Sequence, residues 1–456
     1  MTMKIILTRP NYKSHLITPP LGLGYLSSYL RQDGYHVKII DGLNLGYSND
    51  RIVEICNDAD IVGITCLSDY FLETIDLCRK LKDKRKTVII GGPHATSLPE
   101  QTLSETGADY VIVGEGEQTI LELVESLNNG KQRNNIPGIY SGKTTNFRKR
   151  AFVANLDELP FPDWEQLDPR SYKKAPHGGL VRSFPVAPIL TTRGCPFECT
   201  FCASPKIWDK TIRFRSPENV IEEIKQLVNK YGVSEIHFED DNLTLKKSHV
   251  VALCNLIIEN KIKINWATPN GIRVETVTPD LLRLMKRSGC YSIAYGVESG
   301  SQEILDNIKK KTKLETIEYA VNEADKAGIV TQGFFIFGLP GETSETIKQT
   351  IDFAKRIKLD KAQFLLLDVL PGTGIAEQLK EKFQYDWSKT SFQETTWIPE
   401  TVSQEELAKA QAAAFRGFFL RPRQIWYIIK YFKFKQIIFI IKRISDFKVL
   451  KLKNDK

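Results

Sequence analysis

The chain repeats one rhythm twice: a short apolar run, a glycine or acidic residue at its end, then a segment with helical spacing. Strands buried on both faces read as continuous apolar runs, and parallel neighbours must be joined by a crossover helix, so this rhythm commits the chain to parallel α/β architecture. In the first series, residues 3–8, Val37–Asp41, Ile61–Thr65, Thr87–Ile90 and Tyr110–Val113 are the predicted strands, and Leu23, Leu26 and Leu30 repeat at helical spacing between the first two. Gly91-Gly92 and Gly114-Glu-Gly-Glu117 follow strand ends. Ligands of such sheets sit beyond the carboxyl ends of the strands. Glycine there lets the backbone turn tightly or approach a ligand, although each alone is also an ordinary α/β turn.

The second series has about six strand–helix units: Pro188–Thr192, Glu235–Glu239, Lys263–Ala267, Tyr291–Glu298, Thr331–Phe337 and Ala362–Val369 as strands, with helices at Glu218–Tyr231 and Thr278–Gly289. Their ends are polar or glycine-rich: Glu239-Asp-Asp-Asn242, Glu298-Ser-Gly-Ser301, Gly338-Leu-Pro-Gly-Glu342. β/α barrels place their chemistry at that face. Between the two series, residues 127–175 are rich in turn formers, and Ile139-Tyr140 and Arg150–Val153 are predicted to pair as short strands.

The loop after the first strand of the second series reads Thr191-Thr-Arg-Gly-Cys-Pro-Phe-Glu-Cys-Thr-Phe-Cys202, a C-x3-C-x2-C spacing. Iron–sulfur clusters are held by thiolates, usually four. Three can hold three irons of a four-iron cluster and leave the fourth open for chemistry. A structural zinc site is the alternative, but it wants four ligands. The other cysteines, Cys56, Cys66, Cys78, Cys254 and Cys290, form no second pair, and His237 and His249 stand alone. Cys254 and Cys290 read as core residues. Arg193 reads either as a surface cation or as a group supporting the cysteine loop.

This motif resembles that of the radical S-adenosylmethionine (SAM) enzymes, in which the open iron of a 4Fe-4S cluster binds SAM. The first series resembles the cobalamin-binding domain of class B radical SAM enzymes, in Pro19-Pro-Leu-Gly-Leu23, Asp41-Gly42, Gly91-Gly-Pro-His-Ala95 and Gly114-Glu-Gly-Glu117. The resemblance covers roughly residues 1–375 and includes the cobalamin-dependent methyltransferases and the bacteriochlorophyll anaerobic cyclase-like proteins. It implies a flavodoxin-like doubly wound sheet at 1–127, a linker at 128–180, a partial (β/α)6 radical SAM barrel at 181–375 and a mainly helical region at 376–456. It also implies site residues. Cys195, Cys199 and Cys202 hold the cluster. Phe201 packs near adenine or the cluster. Glu239, Asp240 or Asp241 meets the SAM amino group by a charge-assisted hydrogen bond. Glu298 and Ser299 lie near ribose. Gly333 and Gly338 bound a strand near adenine, whose Phe335 and Phe337 equally suit a plain core strand. Thr65, Leu67, Gly91 and Gly92 line a groove for the cobalamin nucleotide tail, with Asp41, Gly114 and Glu115 also on the cofactor side.

One departure stands out. Cobalamin proteins that ligate cobalt through histidine carry D-x-H-x-x-G, whereas Lys13 and Thr18 flank His15 here. No histidine ligand to cobalt is expected, and His94 is read as part of its loop.

The net charge of +8 is uneven: residues 416–456 hold twelve Lys/Arg and two Asp/Glu, so +10, and the rest sums to −2. Residues 404–420 are predicted helical. Beyond Arg421-Pro-Arg423, the apolar stretches Trp426–Ile429 and Ile437–Ile441 alternate with lysines. Such a tail suits either an anionic membrane surface or a helix packed on the barrel. Phe419-Leu-Arg-Pro422 resembles a phrase of the cyclase-like relatives, whose substrates include apolar and lipid-like molecules. No recognition motif points to nucleic acid. The start of the chain reads as a strand rather than a signal peptide, and scattered cysteines suit a reducing, cytoplasmic setting, with the inner membrane face open to the tail. The expected function is radical SAM catalysis, foremost cobalamin-dependent methylation of an unactivated carbon of a small molecule, fed by a flavodoxin- or ferredoxin-type electron donor. The alternatives are oxidative cyclisation or rearrangement without methyl transfer, and a non-catalytic cofactor sensor.

Overall fold

The computed structural model describes residues 3–14, 16–130, 136–142, 146–172, 181–390 and 395–424. Its first sheet contains β1 (Lys4–Arg9), β2 (His36–Asp41), β3 (Ile61–Thr65), β4 (Thr87–Gly91), β5 (Tyr110–Ile112) and β6 (Ile139–Tyr140), in the order β2-β1-β3-β4-β5-β6. β1 to β5 are parallel, and the order 2-1-3-4-5 is the flavodoxin-like winding. β6 runs antiparallel to β5, with Val111 opposite Tyr140. The expected pairing of Ile139-Tyr140 with Arg150–Val153 therefore does not form. The open edge of β5 offers unpaired backbone groups to β6, and Val153 instead donates its N–H to Glu115 at 2.8 Å.

The second half adds β7 (Val186–Ile189), β8 (Thr192–Arg193), β9 (Arg213–Phe214), β10 (Glu235–Phe238), β11 (Asn265–Ile272), β12 (Cys290–Glu298), β13 (Val330–Phe337) and β14 (Lys361–Leu366). Six of these make a parallel sheet in the order β14-β13-β12-β11-β10-β7. Among the described residues β7 and β14 do not pair, so the barrel stays open. The predicted strand Pro188–Thr192 divides in two: β7 enters the sheet, and β8 pairs antiparallel with β9.

Local chemistry explains the crossover helices. In Pro217–Tyr231, Ser216 accepts the Asn219 N–H, Pro217 sits in the first turn and Gly232 ends the helix at φ 65. Val220, Ile221, Ile224 and Leu227 bury one face of it. The helix Gln404–Phe419 opens with a capping box between Ser403 and Glu406. Its Phe415 and Phe418 meet the Phe364 ring edge-on, and Phe335 and Phe337 stack on the same ring. Arg421 then donates to the carbonyls of Ala354, Ile357 and Leu359, capping the end of the helix Ser344–Arg356. Arg423 pairs with Asp325 and Asp360. Both cations are thus spent on the barrel. The rest of the basic tail, with Trp426–Ile429 and Ile437–Ile441, lies outside the described residues, as does His15. No described helix is long and apolar enough to cross a membrane.

The segment between the sheets wedges the two halves together. Trp164 is 1% exposed in a core continuous with both sheets, and its Nε1 donates to Glu223 at 2.9 Å. Asp163 accepts from Ser27 and Arg31 of the first half. Trp164→Ala leaves a large cavity and removes one donor from Glu223, so a loss of about 3–5 kcal/mol is expected in urea unfolding. A loss below about 1 kcal/mol would show that the wedge carries little.

Candidate active site

Asp240, just past β10, anchors the cysteine loop. Its Oδ1 accepts from the backbone N–H and the hydroxyl of both Thr191 and Thr192. Burial pushes its carboxyl up to about 6, against the pull of those donors. Its Oδ2 is buried with no partner among the described residues. Gly194 has φ 102, and a Cβ there would lie 2.0 Å from Thr211 O, so glycine is required just before Cys195.

Cys195, Cys199 and Cys202 are free thiols, and the Cys202 N–H donates to Cys199 O at 3.1 Å. Burial pushes the Cys202 thiol up to about 12, with Asp241 and the other two thiols adding to the rise. Cys195 is also raised, first by burial. Such thiols stay protonated until a cation takes the proton's place. No three His, Cys, Asp or Glu side chains among the described residues are gathered to share one ion. A cluster asks for something else, one iron per thiolate. Three thiols within electrostatic reach of one another have that chemistry.

The acids take separate positions. Asp241 accepts from Ser204 at 2.7 Å beside Cys195 and Cys202. Glu239 has its backbone carbonyl held by Asn270. Glu298 ends β12 at φ 66 and pairs with the buried Lys310 at 2.7 Å. Ser299 is fully buried and turned to the helix Ser344–Arg356, where it bonds Thr350 at 3.1 Å. A Cβ on Gly333 would lie 2.5 Å from Leu359, so that glycine makes room for core packing. Gly338, at φ 89, donates its N–H to Glu342. Phe201 is half-buried, 5.6 Å from Lys310 Nζ.

On the first sheet, Thr65, Gly91 and Gly114 end or follow the adjacent strands β3, β4 and β5. Gly92 has φ 106, and a Cβ there would lie 2.7 Å from Cys66 O. Leu67 is half-exposed, and a Cβ on Gly114 would meet nothing within 4 Å. His94 is packed in its loop: Nδ1 bonds Ser68 at 2.9 Å, the ring stacks on Phe71 and meets Trp387 edge-on, and Nε2 is buried without a partner among the described residues. Asp41 lies two strands away from Thr65, and both its oxygens are committed, to Arg9 and Tyr172.

Glu115 spans the two halves. Its carboxylate accepts from Arg193 at 2.7 Å, from Arg213 at 2.8 Å and from the Val153 N–H, and Arg193 also pairs with Glu117 at 2.7 Å. Arg193 is thus a buried cation that ties the Gly-Glu-Gly-Glu loop to the cysteine loop, and the oxygens of Glu115 are consumed in that tie.

Residues 189–354 match the radical SAM superfamily and residues 11–124 the B12-binding domain. An uncharacterized methyltransferase of Pyrococcus horikoshii is 35% identical over 97% of each chain. The chain belongs to the cobalamin-dependent radical SAM methyltransferase family. A further relative of this radical SAM enzyme is the cytidylyl-2-hydroxyethylphosphonate methyltransferase of Streptomyces wedmorensis, 28% identical over 90% of this chain and 89% of that one. The fold is shared with the radical SAM methyltransferase TsrM of Kitasatospora setae, solved with cobalamin and a 4Fe-4S cluster, at TM-score 0.70, 19% identity, and coverage of 92% and 85%.

Two further residues to which sequence reasoning gave no role lie at the ends of barrel strands. Glu342 closes the loop after β13 and is pushed up to about 7 by burial. Its place at the end of Gly338-Leu-Pro-Gly was the available signal. Arg273 donates to Cys199 Sγ at 3.7 Å across 74 residues, with no local signal at all.

Proposed function

We propose that this enzyme methylates an unactivated carbon of a small molecule, with Cys195, Cys199 and Cys202 holding the cluster. The observation that carries the reading is the Glu115–Arg193 tie, which fixes the cobalamin side of the molecule against a loop two residues from Cys195. When bound, the cluster supplies the electron that cleaves SAM, and cobalamin supplies the methyl carrier. The chain's part is to hold them. Asp241 and Glu239 serve the SAM amino group, and Glu298 with Lys310 serves the nucleoside. Thr65, Leu67, Gly91, Gly92 and Gly114 border the groove for the cobalamin tail.

The working division is cobalamin binding at 1–127, a linker at 128–180, the radical SAM core at 181–375 and a basic helical region at 376–456. A flavodoxin- or ferredoxin-type donor supplies electrons in a reducing compartment, which suits eight free thiols. The test needs no substrate. Reduced, reconstituted enzyme is given SAM with and without added cobalamin. Both 5′-deoxyadenosine and cobalamin-dependent S-adenosylhomocysteine are expected. Deoxyadenosine alone, with cobalamin bound, would move the reading to cyclisation or rearrangement.

A further inference from the structure

Two buried cations crowd the middle cysteine. Arg273 follows β11 and is 7% exposed, and its Nη1 donates to Cys199 Sγ at 3.7 Å. The guanidinium lies 3.8 Å over the Phe197 ring. Nη2 donates to Thr312 Oγ1 at 3.1 Å and to the Lys310 carbonyl, and Nε donates to Glu275 at 3.2 Å. These bonds and the stacked ring leave the group one orientation. Lys310, 6% exposed, comes from the loop after β12 and carries the second charge, paired with Glu298. Asp241, bonded to Ser204 at 2.7 Å, acts by its charge on Cys195 and Cys202, and Arg273 also acts on Cys195. Of the three thiols, Cys199 is the one to which Arg273 donates a hydrogen bond.

We infer that Arg273 is a positioning residue that raises the reduction potential of the cluster by charging and hydrogen-bonding its Cys199 corner. The inference rests on the assignment of the three cysteines to a cluster. Reduction adds one electron from an external donor, with no bond made and no proton moved, so the reduced cluster carries one more negative charge. A fixed buried cation stabilises that form more than the oxidised one, and hydrogen bonds to sulfur act in the same direction. A guanidinium fits because it stays charged when buried and its planar fork can stack and donate at once. Its carbonyl and hydroxyl partners orient it, and the partly exposed Glu275 carboxylate offsets part of its charge.

The test is a redox titration of reconstituted enzyme without SAM, read by the electron paramagnetic resonance signal of the reduced cluster. Arg273→Met is expected to lower the ratio of reduced to oxidised cluster about tenfold at a fixed potential, a shift of about 59 mV for one electron. Arg273→Lys should recover part of it, and the exposed neighbour Lys309→Gln should leave it unmoved. If Arg273→Met loads no iron, Arg273→Lys alone is compared with wild type, and its smaller negative shift is read in the same way. Full iron content with an unmoved potential would overturn the inference. So would an unmoved potential accompanied by lost SAM binding, which would place Arg273 on SAM instead. Wild-type protein that takes up no iron would overturn the cluster assignment itself, a separate failure.

Discussion

Cys199→Ala is expected to abolish reductive cleavage of SAM while leaving the protein folded. Cys199 is 8% exposed and among the described residues its sulfur receives one hydrogen bond, from Arg273, so trimming it to a methyl costs about 1 kcal/mol of stability. The loss to chemistry is much larger. On the proposed assignment each cysteine would hold one iron, no fourth thiol lies in the loop to replace it, and a cluster lacking that ligand would lose the open iron that binds SAM. The measurement is paired: 5′-deoxyadenosine formed per enzyme, and the urea midpoint of the same preparation. Deoxyadenosine at the uncatalysed background beside a near-wild-type midpoint is the expected result. Full activity with intact iron content would remove the scheme.

The second large effect belongs to Glu115. Burial alone would raise its pKa, but hydrogen bonds from Arg213 and the charge of Arg193 outweigh this and hold it below the ordinary glutamate value of 4.5. A depressed carboxylate contributes stability above the unfolded value, and that contribution disappears as pH falls through the folded one. Glu115→Ala leaves Arg213 buried with, among the described residues, only the Val153 carbonyl accepting from its Nη1, and takes one of the two acids from Arg193. Removing one partner of a buried ion pair costs about 3–5 kcal/mol. The functional effect should be selective. The cysteine loop keeps its Asp240 anchor, so SAM cleavage persists, whereas formation of S-adenosylhomocysteine, which needs both halves in register, falls. Glu115→Gln keeps some of the hydrogen bonds and should lie between. An Ala variant as stable as wild type, with both products formed in the original ratio, would contradict this role.

The parts of the molecule that announce themselves in sequence are those whose physics is local. A buried parallel strand is a run of Ile, Val and Leu, so Ile61–Thr65 is found with its true bounds. A loop that carries three thiols at C-x3-C-x2-C states its own chemistry. What stays hidden depends on partners far along the chain. β6 pairs with β5 because an open edge was there, which nothing in Ile139-Tyr140 reveals. Ser299 lies in a motif region yet spends its hydroxyl on Thr350, 51 residues on. Phe335 and Phe337 lie beside a glycine pattern, and their packing under Phe364 and the helix Gln404–Phe419 makes them core. Arg193 is ambiguous in isolation, and only the approach of Glu115 and Glu117 makes it a tie between the halves. Ion pairs of this kind leave no periodicity for a sequence pattern to catch.

The central claim is that one chain holds a 4Fe-4S cluster and cobalamin in fixed relation. Anaerobic reconstitution with iron, sulfide and hydroxocobalamin, followed by desalting, the visible spectrum and iron and cobalt analysis, tests it most directly. About four irons and one cobalt per chain is the predicted result. Iron without cobalt would contradict it, leaving radical SAM chemistry in the barrel and no methyl carrier beside it.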